Sequence, residues 1–177
     1  MPETERHSPL DPPLPDRDGQ QLTWGHLPQS ATALALVQAA RRHSGPLVVV
    51  APDTPTADRL ENALRFFAGD DGLEVHGLPD WETLPYDLFS PHQDIVSQRL
   101  ATLYRLPDLA TGILLLPMST LMQRLPPIPY VTDNVLLLDS GAQLDMDALR
   151  QRLAAAGYRS VAQVMEHGEF AVRGALL

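Results

Sequence analysis

The apolar positions of the chain recur with a helical period in some segments and run continuously in others, and the alternation predicts its elements. Ala33, Leu34, Val37 and Ala40 fall at helical spacing, Arg41 and Arg42 sit where a helix dipole favours cations, and Gly45 supplies a stop. This predicts a helix of about twelve residues. Residues 47–51 (LVVVA) are continuous, rich in β-branched side chains and closed by Pro52, which predicts a strand buried on both faces. Thr54 and Pro55 read as an N-cap followed by proline in the first turn, and Ala57, Leu60, Leu64 and Phe67 continue that helix. Beyond it come a weaker strand over 73–76, a turn-rich stretch over 77–93 and a helix marked by Val96, Leu100 and Leu103 that ends before Pro107. A second buried strand over 113–116 and a short helix over 119–124 complete the series. Strands alternating with helices imply an α/β fold with a parallel sheet flanked by helices.

Prolines divide the chain. Residues 1–20 are polar and hold Pro9, Pro12, Pro13 and Pro15, which predicts a flexible leader ahead of an α/β domain over 21–124. Three prolines within 125–130 (LPPIPY) predict an extended linker over 125–133. A small α+β unit over 134–177 follows, with a strand at 135–139 and a helix capped by Asp145, carrying Met146, Leu149 and Leu153, and closed by Gly157. Strands over 158–165 and 169–177 are expected to pair as a hairpin through Glu166, His167 and Gly168. The last strand reaches the terminus without turn or cap, so the small unit is expected to be a partial domain.

Composition narrows the chemistry. The 177 residues suit one domain plus part of another, and 44% apolar with 20% charged residues is enough for a buried core. Apolar runs such as 113–118 are much too short for a membrane span, and the start lacks a secretion signal, so a cytoplasmic location is expected. Thirteen basic residues against 22 acidic ones give a net charge of -9, which repels a phosphate backbone and argues against this segment gripping nucleic acid. All thirteen basic residues are arginine, so Schiff-base chemistry and a phosphate-loop lysine are excluded. The absence of cysteine excludes disulfides, thiol nucleophiles and thiolate zinc sites.

The residues ahead of the first helix, GHLPQSAT (25–32), keep the ends of a phosphate-binding loop in Gly25 and Thr32. Ser30 stands where the second glycine belongs, and Ala31 where the lysine belongs. Two readings are open: a descendant that has lost its nucleotide, or an unrelated helix start. Neither provides the cation that cradles phosphates, so no bound ATP is expected. Asp53 lies at the carboxyl edge of the sheet, where a phosphoacceptor would sit, but no lysine is present to partner it, which favours the reading as a helix-start acid beside Thr54. His92 with Asp94, and Glu166, His167 and Glu169, have no metal-ligand spacing, and no nucleophile elbow is present. The stretch 78–94 combines Trp81, Tyr86 and Phe89 with Pro79, Pro85 and Pro91 in a stiff loop that either covers the core or binds. Arg173, near Phe170 and Val172, is either an interface anchor or a solvated charge.

The runs DWETLPYD (80–87), FSPHQD (89–94), SQRL (97–100), MSTLMQR (118–124), QVMEHGE (163–169) and RGALL (173–177) resemble the amino-terminal region of the bacterial transcription-repair coupling factors. The resemblance runs from about residue 45 to the end. It implies a UvrB-homology module: a RecA-like α/β domain with a decayed nucleotide site, interrupted by a small UvrA-binding domain and completed by a later segment. On that reading Gly25, Ser30, Ala31 and Thr32 are remnants of the phosphate loop, and Arg173, with Phe170 and Glu169, belongs to the surface that meets UvrA. It further implies no catalysis, metal or cofactor here, but recruitment of UvrA to lesions where RNA polymerase has stalled, in nucleotide excision repair. ATP, magnesium, DNA and RNA polymerase would engage other domains of the same protein, an ATP-dependent translocase; no membrane is involved. The competing class is part of an active UvrB-like ATP-dependent helicase, and a phosphoacceptor domain using Asp53 is a third.

Overall fold

The computed structural model describes residues 8–70, 72–84, 87–133, 135–136, 141, 143–174 and 176–177. The chain divides into two compact units, Met1–Ile128 and Pro129–Leu177. Among the described residues no helix is long and apolar enough to cross a membrane.

In the first unit, helix α1 (Gln29–Arg42) buries Ala33, Val37 and Ala40 and leads to strand β1 (Pro46–Ala51). Helix α2 (Thr54–Ala68) follows, with Pro55 in its first turn. Its cap is Asp53, one residue ahead of the expected Thr54, because the Asp53 carboxylate reaches the Thr56 N–H at 2.7 Å. Strand β2 (Val75–Gly77), helix α3 (Gln93–Arg105) with a 3-10 turn at Leu106–Asp108, strand β3 (Gly112–Pro117) and the short helix α4 (Met118–Leu121) complete the unit. The sheet is parallel, in the order β1-β3-β2, with Leu47 opposite Ile113 and Val75 also opposite Ile113.

The central position of β3 sets the layers. All six of its residues are buried. Ile113 and Leu115 face a core built with Val37, Leu64 and Val75, while Leu114 and Leu116 face Leu78, Leu103 and Leu106 on the other side. Each such apolar side chain taken from water contributes about 1.5–3 kcal/mol. The expectation that β1 is buried on both faces is corrected. It lies at the sheet edge: Leu47 and Val49 pack into the first core, but Val48 and Val50 remain 55% and 37% exposed. A β-branched run reports strand propensity and not strand position. Gly112 opens β3 at φ 122°, and a Cβ there would lie 2.8 Å from the Glu74 carbonyl that accepts the Ile113 N–H.

The leader expected over 1–20 is anchored where it is described. Residues 1–7 lie outside the described residues, but Pro12 is buried, and the Arg42 guanidinium donates to the Asp11 carboxylate and to the Pro12 carbonyl. Trp24 Nε1 also donates to the Pro13 carbonyl, at 3.1 Å.

Helix α5 (Ile128–Asp133) occupies part of the stretch expected to be extended. Pro129 is its second residue, where a missing N–H costs no helical hydrogen bond. In the second unit, helix α6 (Met146–Ala155) is capped by Asp145, whose carboxylate accepts from the Asp147 and Ala148 N–H groups. The strand expected over 135–139 lies outside the described residues at 137–139, and Val135 and Leu136 are not in a strand. Strands β4 (Arg159–Ser160) and β5 (Glu169–Phe170) are shorter than expected, and they pair in parallel, with Arg159 opposite Glu169. A hairpin is therefore ruled out. The intervening residues carry the chain back so that it re-enters in the same direction. Beyond β5, Arg173 and Leu176 form an antiparallel bridge across Gly174, whose φ is 62°.

Candidate functional site

The residues ahead of α1 are used locally. Pro28 stands at the N-cap without a side-chain cap bond, and the Thr32 hydroxyl donates to the Pro28 carbonyl at 3.2 Å. The exposed Gly25 and Ser30 precede a half-buried Ala31. Asp53 caps α2. Hydrogen bonds from the Thr56 side chain and then its backbone N–H hold its carboxyl below the usual range. His92 accepts the Asp94 N–H at 3.3 Å at the start of α3.

The loop around Trp81 is tied to α3 by a buried cation. Arg99 is 1% exposed, and its guanidinium lies over the Trp81 ring, 4.1 Å from the centroid. It donates to the Pro79 carbonyl and, at 3.0 Å, to Gln123 Oε1. Gln123 Nε2 in turn donates to Asp80 Oδ1 at 2.6 Å, and Asp80 accepts the Trp81 N–H at 2.7 Å. One guanidinium therefore joins the end of the sheet, the loop and the residues after α4. A cavity of about 620 Å³ opens beside this network, lined by Asp80, Trp81, Leu84, Pro91, Gln123 and Arg124 among others. Sequence reasoning assigned Arg99 no role. The available signal was its place three residues after Val96 and four before Leu103, on the apolar side of the helix. The expected marker Leu100 is instead 43% exposed.

Burial pushes the Asp80 carboxyl up, but hydrogen bonds from Ser119, Gln123 and the Trp81 N–H, with the Arg99 charge, outweigh it and hold the group below its ordinary value. A carboxylate depressed in the folded state stabilises fully above its unfolded pKa, near 3.9, and loses that contribution as pH falls through the lower folded value. The stability difference between wild type and Asp80→Asn is therefore expected to be constant from pH 7 to about pH 5 and to shrink below about pH 4. Urea unfolding followed by tryptophan fluorescence at stepped pH measures it; a difference unchanged down to about pH 2 would contradict the assignment.

In the second unit, the three side chains expected at a partner surface are placed differently from one another. Arg173 is exposed, and its guanidinium donates to the Ala162 carbonyl at 3.1 Å. Phe170 is 7% exposed, so its ring is buried and not presented to solvent. The Glu169 side chain is turned inward, accepting from Arg159 Nη2 at 2.9 Å and from the N–H groups of Met165 and Glu166. Large apolar side chains nearby face solvent, with Met165 76% and Val164 51% exposed.

Comparison with known proteins places these residues in context. Residues 136–177 match the family model described as the UvrB interaction domain. The whole chain is 48% identical over 177 residues to the transcription-repair-coupling factor of Escherichia coli (strain K12), covering 15% of that protein. It is 49% identical over 168 residues, or 95% of the chain, to that of Haemophilus influenzae, covering 14% of it. Against that of Mycobacterium bovis it is 38% identical over 154 residues, 83% of the chain and 12% of the relative. The chain thus spans about 15% or less of the length of these curated relatives.

Proposed function

Since the chain belongs to the amino-terminal region of the transcription-repair coupling factors, we propose that it is an adaptor that recruits UvrA in transcription-coupled nucleotide excision repair and catalyses nothing itself. The observation that carries this reading is the match of residues 136–177 to the UvrB interaction domain, which falls inside the compact second unit. That unit presents an exposed arginine beside exposed apolar side chains, a combination suited to a protein partner. The first unit is a RecA-like domain with a decayed nucleotide site, a reading supported by the parallel sheet, by Ala31 in the lysine position and by the Thr32 hydroxyl bonded to its own helix. ATP, magnesium, DNA and RNA polymerase belong to the rest of the protein, whose motor moves on DNA.

Two measurements test the proposal. Purified UvrA is expected to be retained by the immobilised full-length protein, and no retention would refute the adaptor role. The 177-residue chain is expected to show no saturable thermal shift with magnesium ATP; a clear shift would favour the helicase alternative.

A further inference from the structure

Glu169 sits in a solvent-facing part of the second unit, yet its side chain is only 9% exposed. Both oxygens are occupied. Oε1 accepts from Arg159 Nη2 at 2.9 Å, and Oε2 accepts the Met165 N–H at 3.0 Å and the Glu166 N–H at 3.2 Å. Arg159 also approaches Glu166 Oε2 at 3.7 Å. The return segment between β4 and β5 is framed by backbone bonds at its two ends, Arg159 N–H to the Gly168 carbonyl and Val161 N–H to the Phe170 carbonyl. Between those ends, Arg173 reaches the Ala162 carbonyl and Glu169 accepts from the N–H groups of residues 165 and 166. This is the stretch that holds Val164 and Met165 out in solvent.

We infer that Glu169 is a positioning residue, which does not meet the partner but fixes the 164–168 loop so that Met165 and Val164 stand ready as apolar contacts for UvrA. The inference rests on the adaptor reading above. A carboxylate that accepts two successive N–H groups holds their peptides in one orientation, and a loop ordered in advance loses less entropy on binding. Methionine, flexible and polarizable, suits a contact that must adapt to a partner surface. The hydrogen bond from the Met165 N–H, more than burial opposes it and with help from Glu166 and Arg159, keeps the Glu169 carboxyl below its usual range, so the tie stays ionised at neutral pH.

The test uses the full-length protein with Glu169→Gln, Met165→Ala and the double variant. Glutamine keeps one acceptor oxygen and loses the charge, so amide hydrogen exchange at Met165 and Glu166 is expected to accelerate in Glu169→Gln without any partner present. UvrA affinity is expected to fall about tenfold in each single variant and hardly further in the double, because both act through the same contact. Met165→Ala alters an exposed side chain, which keeps the cycle interpretable. Wild-type exchange rates in Glu169→Gln, or losses that multiply in the double variant, would overturn the inference. Failure of wild type to bind UvrA would overturn the adaptor reading and the partner role with it, while exchange alone still separates a tied loop from an untied one.

Discussion

Replacing Arg99 by alanine is expected to lower the stability of the first unit by about 3 kcal/mol or more, among the larger effects of any single substitution here. The side chain is 1% exposed and bonds to Pro79 and Gln123 while lying against Trp81. Its removal strands the Pro79 carbonyl and one end of Gln123, leaves a cavity under the indole and withdraws the positive charge that faces Asp80. Burial works against the Arg99 charge and Asp80 supports it, but a guanidinium remains protonated throughout the pH range of a folded protein. Arg99→Lys is expected to recover little, since an ammonium cannot span two acceptors and stack on a ring at once. Urea unfolding measures the change, and a shift below about 1 kcal/mol for Arg99→Ala would show that the network is not a structural tie.

The second large effect belongs to Arg173. Its replacement by alanine in the full-length protein is expected to weaken UvrA binding about tenfold or more, while the urea midpoint stays near that of wild type. The guanidinium has five N–H donors, and its bond to the Ala162 carbonyl anchors the group while its exposure leaves it open to a planar acceptor on a partner. Arg173→Lys keeps the charge but not the fork, and intermediate affinity is the expected result. Equal affinity for all three proteins, measured by equilibrium titration, would remove Arg173 from the interface.

Where the sequence was informative, the reason was physical. A continuous apolar run with prolines or glycines at its ends has few alternatives to a buried strand, and β3 is such a strand on both faces. The same signal misplaced β1, because a local pattern carries no information about which strand is central and which lies at the edge. Pairing of β4 with β5 was likewise invisible: a short polar turn suggests a hairpin, whereas the intervening residues carry the chain back and the strands pair in parallel through backbone bonds distant in the local pattern. Arg99 escaped notice because charge is normally read as exposure; its position on the apolar side of α3 was the clue. At the proposed partner surface, Arg173 could be named from the family motif, but the inward turn of Glu169 and the burial of Phe170 depend on tertiary packing.

The second unit, on the adaptor reading, serves the same partner as UvrB, whose interaction domain it matches. Titration of purified UvrA with the full-length wild-type protein, followed by addition of UvrB, tests this most directly. Saturable binding that UvrB displaces competitively is the result expected. No saturable binding, or a complex that UvrB leaves intact, would contradict the account.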